Sequence, residues 1–551
     1  MKQFHGRSER HSVSHVSSAL SFRSLMSIGM AAATMGLLVP ELDRPGVTWD
    51  EPQYFFSVER IQAWVVDFIA DPESALNRET IRAAWDPPEA RVWNPHPPVY
   101  KEGMAVTEAL FGSFLGTVAG YRMFSAFLFS ALVGTLVWTV SGVAGVSAGL
   151  GSGLALAFMP RATGHALLGT TDMPLTFFWA VTTLAYFSFL RQGGWPRFLV
   201  ASLALGFALG TKFTGWLLPV PLLAWTLLER RFLPWIGVAG VALLVAYASV
   251  PYAWHDPLYE TIRLFTESMW RERTIPIDTA YLNRVYGYVV PWHHVIVMTL
   301  ITVPIGILCL ATIGLADSGR SHSLTKPDDA RAALARVSIL QIGFFFALLA
   351  LPSSPNHDGV RLFLPLFPFI AVLSGLALGR FDGYLRARLD SKRAALGILV
   401  IGSLYLLPGW WQSRHVSPYY LSYYSEIIGG LPGARTAGME VSYWYDAMTP
   451  EFLRSVESEL PDSATILAWP SRRYFEELQD LGLLRRDLRF SADLSSSYLL
   501  LLARKSALPE PFFTVYDKVQ PIVAVELDGV ELAGLYAMTE LEPADDPATG
   551  E

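Results

Sequence analysis

The run AGYRMFSAFLFSALVGTLVWTVS, Ala119 to Ser141, decides how the rest of the chain is to be read. A helix needs about 20 mostly apolar residues to cross a bilayer, and this run meets that length. Comparable blocks recur on both sides of it, at 22–40, 146–166, 173–191, 197–211, 213–229, 232–250, 292–315, 337–352, 361–379 and 394–411. The chain therefore carries about eleven candidate spans. Composition agrees: 52% of the 551 residues are hydrophobic and 17% charged, with a mean hydropathy of +0.33. A soluble chain would carry roughly a quarter of its residues as charges. The one cysteine, Cys309, excludes an intrachain disulfide. A net charge of −7 without a long basic tract argues against a nucleic-acid partner. The fold class is a polytopic α-helical membrane protein, without an internal repeat.

Basic residues orient the spans. Lys2, Arg7, Arg10 and Arg23 place the N-terminus in the cytoplasm by the positive-inside rule. Alternating from there, the inner connections hold Arg191/Arg197, Arg230/Arg231, Arg320/Lys326/Arg331/Arg336 and Arg380/Arg386/Arg388/Lys392/Arg393, while the short outer ones hold only Arg161, Lys212 and Arg361. Fusing the runs on either side of Thr211-Lys212 into one helix would turn the later basic loops outward, so they are kept apart. No small-x-small site follows Val39, which argues against a cleaved signal peptide.

Two large outer segments remain. The first loop runs from about Glu41 to Thr117. At its end, 99–115 is apolar enough to suggest a further span, but Lys101, Glu102 and Glu108 favour a helix lying in the interface. Asp256–Arg273 is amphipathic and is expected to lie on the membrane as well. Residues 1–411 are assigned to the membrane unit and 412–551 to a small outer-face α/β domain. That domain shows a helical run at Pro450–Leu460, β-type runs at Thr465–Trp469 and Tyr498–Ala503, and a hairpin of Ile522–Leu527 and Val530–Tyr536 turning at Asp528-Gly529.

Four polar motifs need explaining. Val47-Thr48-Trp49-Asp50-Glu51-Pro52 sets two acids beside a helix start, where they would serve equally well as cap and dipole partners. Trp93-Asn94-Pro95-His96-Pro97-Pro98-Val99-Tyr100-Lys101 is a proline-stiffened segment whose His96 and Lys101 could meet a phosphate at headgroup depth, or a rigid loop with an aromatic anchor. In Gly169-Thr170-Thr171-Asp172-Met173-Pro174-Leu175, Asp172 precedes an apolar run and needs no role beyond capping it. Ser353-Ser354-Pro355-Asn356-His357-Asp358-Gly359-Val360-Arg361 packs polar groups between two spans, and Arg361, like Lys212, either snorkels or binds an anion. Taken singly each motif is ambiguous. All four fall on the same expected outer face, in a topology drawn without using the acids or His96. Carboxylates and cations gathered there suit chemistry on a charged lipid headgroup with a polar acceptor.

In their order, these motifs resemble the GT-C membrane glycosyltransferases, in particular the protein O-mannosyltransferase family and its bacterial relatives, including aminoarabinose transferase. The resemblance covers roughly Thr48 to Leu378 and includes Thr211-Lys212-Phe213-Thr214-Gly215 and Arg361-Leu362-Phe363-Leu364-Pro365. It implies transfer of a sugar from a polyprenyl-phosphate carrier to an acceptor hydroxyl of a lipid, glycan or protein at the outer membrane face, with inversion. Asp50 would be the catalytic carboxylate, Glu51 its neighbour in the motif, and Asp172 the second acid of the cavity. His96, Lys101, Lys212 and Arg361 are the candidates for the donor phosphate, and Asn356, His357 and Asp358 are further cavity candidates. The aminoarabinose branch carries Lys where this chain has His96, so the mannosyltransferase form is the nearer match. The region after Gln412 does not resemble the eukaryotic lumenal sugar-binding domain, which favours a bacterial inner membrane and disfavours a protein Ser/Thr acceptor. No His/Cys spacing suggests zinc; a metal between Asp50 and Asp172 would be Mg²⁺ or Mn²⁺. The rival reading is a transporter or lipid flippase. Such proteins usually hold ionisable groups at mid-membrane on broken, repeated helices, whereas here the polar clusters sit at helix ends.

Overall fold

The computed structural model describes residues 6–86, 96–274, 277–287, 289–320, 330–494 and 496–538. Trp93, Asn94 and Pro95 of the His96 motif, and Lys2 and Lys326 of the charge pattern, lie outside the described residues. Among those described, six helices are long and apolar enough to cross a bilayer: Phe22–Glu41, Thr117–Ala144, Asp172–Gln192, Ala330–Leu349, Arg361–Arg386 and Ser391–His415. The chain is an integral membrane protein. The Arg361–Arg386 segment is its axis, 89% buried over its apolar window, against 11% for Phe22–Glu41 and 17% for Ser391–His415. The last of these turns Leu396, Leu399, Leu404 and Trp411 outward, an apolar surface suited to lipid. Small residues let the axis pack tightly. A Cβ on Gly375 would lie 2.0 Å from Ser152 Oγ and 2.2 Å from the Ala148 carbonyl.

Several expected spans are shorter or broken, and proline is usually the cause. The 146–166 stretch forms Val146–Ala157 and a separate Pro160–Ala166 turn. The 292–315 stretch is two helices, His294–Thr302 and one starting at Ile305, bent by 119° around Val303-Pro304. Trp195–Leu209, Phe213–Leu228 and Phe232–Ala248 are apolar but shorter than a full span. Thr211-Lys212 does separate two helices, with Lys212 in extended conformation (φ −150°, ψ 145°).

The helix over Val99–Leu115 buries Val99, Tyr100, Met104 and Thr107 and exposes Val106, Leu110, Phe111 and Phe114. The helix over Pro257–Thr274 likewise turns Leu258, Ile262, Met269 and Trp270 outward while burying Glu260 and Ser268. The Pro257–Thr274 helix, apolar outside over buried polar groups, is the inverse of a water-soluble helix, and the Val99–Leu115 helix is largely apolar on both faces; both suit contact with lipid. A short antiparallel hairpin follows, β1 (Thr279–Tyr281) with β2 (Arg284–Tyr286).

Beyond the last span, five strands form one mixed sheet: β3 (Thr465–Trp469), β4 (Arg489–Ser491), β5 (Tyr498–Leu502), β6 (Val523–Leu527) and β7 (Val530–Ala537), in the order β4-β3-β5-β7-β6. β3 runs parallel to β4 and β5, and the Arg472–Asp480 helix makes the first crossover. The expected hairpin is β6–β7, turning at Asp528 (φ 53°) and Gly529 (φ 73°), the left-handed pair such a two-residue loop requires. The segment before the sheet returns to the membrane unit. Gly46 N–H donates to the Asp446 carbonyl at 2.9 Å and Trp49 N–H to the Trp444 carbonyl at 3.2 Å. Gly46 permits that approach, since a Cβ there would lie 2.6 Å from the carbonyl oxygens of Tyr445 and Met448.

Candidate active site

A cavity of about 510 Å³ opens where the axial helix begins. Its lining combines apolar side chains, Leu175, Trp179, Leu217, Phe345, Leu348 and Leu349, with an aromatic group, Trp49, Tyr443, Trp444 and Tyr445. A chain of charges joins them. Arg361 is its hub: Nη2 lies 3.0 Å from Asp50 Oδ2, Nη1 2.9 Å from Asp358 Oδ2, and Nε 3.6 Å from Asp172 Oδ2. The Arg361 guanidinium also stands 4.3 Å from the centre of the Trp444 ring, close enough for a cation–π contact. Lys212 Nζ holds the other Asp172 oxygen at 2.7 Å, and Arg504 Nη2 holds Asp358 Oδ1 at 3.1 Å. Three carboxylates thus meet three cations whose side chains are all at most 14% exposed, the arrangement that lets charge persist away from water.

Neither acid caps its helix through its side chain. Asp50 sits at the N-cap of the Glu51–Ala70 helix, yet its side chain makes no capping hydrogen bond and faces the cavity. Asp172 opens its helix, but its carboxylate is bonded to Lys212 rather than to the helix terminus. Lys212 reaches Asp172 because the helix ends at Leu209 and the next three residues are extended or turning. His96 lines the cavity beside Lys212, its ring stacked 5.8 Å over Phe213. His357 lines it as well, and burial pushes its imidazole down to about 4, so the ring is neutral at physiological pH. Burial alone would raise the neighbouring Asp358, but Arg504, His357 and Arg361 hold its carboxyl below the usual range.

Residues 95–254 match the family model described as dolichyl-phosphate-mannose-protein mannosyltransferase. No protein of curated function matches the chain by sequence. Among solved structures, ArnT from Cupriavidus metallidurans in the apo state is similar over 95% of this chain and 100% of that one, at 13% identity and a TM-score of 0.50. The same protein bound to undecaprenyl phosphate aligns over 93% and 97% at 13% identity, with a TM-score of 0.48. The Archaeoglobus fulgidus oligosaccharyltransferase in complex with zinc and sulfate aligns over 74% and 53% at 13% identity, with a TM-score of 0.46. The chain has a GT-C-type fold.

Within that GT-C-type fold, four candidates lie away from the cavity lining: Asp172, expected as the second acid of the cavity, reaches it only through Lys212 and Arg361, and Glu51, Lys101 and Asn356 are turned to other partners. Glu51 is fully buried behind Asp50. It accepts hydrogen bonds from Arg122 Nε (2.7 Å) and Nη2 (2.8 Å), Gly169 N–H (2.7 Å), Thr48 N–H (2.7 Å) and Thr48 Oγ (3.1 Å). Arg122 in turn donates to the carbonyls of Leu42, Pro45 and Gly46. This pair fastens the Asp50 loop to the Thr117–Ala144 helix. Lys101 is also turned away. The chain passes from His96, which lines the cavity, into the Val99–Leu115 helix, whose first residue is tied by its N–H to the Gly210 carbonyl at 3.0 Å. There Lys101 is buried near Asp86, with its ammonium lowered by burial to about 8. Asn356 is spent on structure, donating to the Leu349 carbonyl at 3.1 Å.

Arg361 stands between Asp50 and Asp172, the two carboxylates considered for a metal, 3.0 Å from the first and 3.6 Å from the second. The C-terminal contributions, Tyr443 to Tyr445, Arg504 and Ser506, were not legible as site residues. The one available signal was the aromatic run Tyr443-Trp444-Tyr445 in an otherwise polar stretch.

Proposed function

We propose that this chain is a glycosyltransferase that moves a sugar from a polyprenyl-phosphate-linked donor to an acceptor hydroxyl, with inversion at the anomeric carbon. The observation that carries this reading is the composition of the cavity: apolar side chains in its lining, a cluster of Lys212, Arg361 and His96 with them, and a carboxylate, Asp50, reaching the same space. Such a site suits a ligand with a long apolar chain and an anionic head. The match of residues 95–254 to a dolichyl-phosphate-mannose-dependent family and the GT-C-type fold support the same chemistry.

Asp50 accepts the proton of the acceptor hydroxyl as its oxygen attacks the anomeric carbon. The bond from that carbon to the carrier phosphate breaks on the opposite face, and the electron pair leaves on the phosphate. A base in this position contributes about 10²–10⁴-fold. The leaving phosphate is already a stable anion and needs positive charge more than a proton, which Lys212 and Arg361 supply. Asp172 and Asp358 hold those cations in place, and a phosphate arriving at Arg361 has to compete with them. We place the cavity at the outer face of a bacterial inner membrane, with the N-terminus cytoplasmic and the sheet domain outside, because of the distribution of basic residues.

The test is reconstitution in liposomes with radiolabelled prenyl-phosphate sugar. With a membrane extract added as the source of acceptor, covalent product should form only from the prenyl-linked sugar, without an ion gradient, and with the opposite anomeric configuration. Gradient-driven uptake of a free solute, with no covalent product, would instead establish a transporter.

A further inference from the structure

Arg504 enters the site from the C-terminal sheet, just beyond β5, and differs from Lys212 and Arg361 in how it is engaged. Nη1 donates to the Tyr443 carbonyl at 2.9 Å, Nη2 to the Asp278 carbonyl at 3.1 Å, and Nε to Ser506 Oγ at 3.3 Å, while Nη2 also faces Asp358. Two of these acceptors are backbone carbonyls, which an incoming anion cannot displace without moving the chain, whereas Arg361 meets side-chain carboxylates, which a phosphate can replace. What Arg504 does is join three separate walls of the cavity: the loop after the Pro257–Thr274 helix, the loop before Arg361, and the Tyr443–Tyr445 run.

The loop before Arg361 bears the mark of an imposed geometry. Asp358 has φ +53° and Gly359 φ +66°, two consecutive left-handed residues, the first of them not glycine. Such backbone persists only where the surroundings over-determine it. Here the Asp358 carboxylate is divided, Oδ1 to Arg504 and Oδ2 to Arg361. Without Arg504 the whole carboxylate would turn to Arg361, which already faces Asp50 and Asp172.

We propose that Arg504 is a positioning residue of the transfer site, drawing Asp358 toward the C-terminal sheet and so keeping Arg361 available to the carrier phosphate. This rests on the sugar-transfer reading above. It gives the C-terminal sheet a part in donor binding without any contact to the donor, since a phosphate competes with every carboxylate that faces Arg361.

The experiment measures the dissociation constant for undecaprenyl phosphate with the full-length protein in nanodiscs, alongside its thermal midpoint. Arg504→Met should weaken binding about tenfold, the scale of one hydrogen bond to a charged group. Arg504→Lys should recover part of that loss, because an ammonium reaches Asp358 but cannot span the two carbonyls. The combined Arg504→Met/Asp358→Asn change should bring binding back toward wild type, since the competing charge is gone. A residue that only staples loops together would give the opposite result, because losing its second partner weakens the site further. If Arg504→Met does not fold, Arg504→Lys and the combined variant carry the comparison. Unchanged binding in the Arg504 variants, or a combined variant weaker than Arg504→Met, overturns the proposal while leaving sugar transfer standing. A wild-type chain that binds no undecaprenyl phosphate overturns both.

Discussion

Glu51→Gln is the substitution that best separates support from chemistry in the Asp50-Glu51 pair. Every group around the Glu51 carboxylate is a donor. Oε1 accepts from Arg122 Nε and Gly169 N–H, and Oε2 from Arg122 Nη2, Thr48 N–H and Thr48 Oγ. Glutamine can keep one of these oxygens; its amide NH₂ must replace the other. Whichever way it turns, that NH₂ meets one N–H of Arg122 and one backbone N–H, neither of which can become an acceptor. Arg122 is fully buried and would lose its counter-charge, a loss that typically costs about 3–5 kcal/mol. Its three carbonyl acceptors remain and set the lower end of that range as the expectation. Equilibrium unfolding in mixed dodecyl maltoside–SDS micelles reads this directly. Glu51→Gln should lose about 3 kcal/mol of stability, and transfer should fall only as far as folded protein is lost. A variant with wild-type stability and abolished transfer would refute the argument and place Glu51 in the chemistry.

Asp50→Asn should show the converse, with stability near wild type and transfer down by about two to four orders of magnitude, the range ascribed to a lost general base; near-normal transfer would move the base to Asp172. Gly359→Ala combines a left-handed φ of +66° with a Cβ placed 2.3 Å from Tyr443 Oη and 2.7 Å from Arg161 Nη1. It should cost at least about 1–3 kcal/mol in the same unfolding assay, and undecaprenyl phosphate binding should weaken with it, whereas a neutral result would mean the loop shifts freely. Burial pushes the Asp446 carboxyl up to about 7, so its contribution to stability is intact below its ordinary value near 4 and is lost as pH rises through 7. Asp446→Asn should therefore flatten the decline in stability between about pH 4 and 7, and an unchanged pH profile would show that the carboxyl is better solvated than its burial implies.

How much of this was legible in the sequence follows from the range over which each interaction acts. Apolar blocks of span length declare themselves, because in lipid each helix must satisfy its own backbone hydrogen bonds and so depends little on its neighbours. The helices at Val99–Leu115 and Pro257–Thr274 and the Asp528-Gly529 hairpin were legible for the same reason: period and turn chemistry are local. Proline breaks such as Val303-Pro304 were written in the sequence too, but the bend of 119° is set by packing. The motifs holding Asp50, His96, Asp172, Lys212 and Arg361 could be singled out as polar residues at helix ends. Their roles could not, because an aspartate before a helix looks the same whether it caps the terminus or faces a guanidinium more than 300 positions away. Only the tertiary structure separated Asp50 from Glu51, adjacent in sequence but on opposite sides of the loop, one in the cavity and one buried against Arg122. Only it turned Lys101 away from His96, since a helix start rotates each successive side chain by about 100°. And only it brought Arg504 to Asp358, since such a contact depends on the sheet domain docking against the membrane helices, a matter of three-dimensional packing that no local pattern encodes.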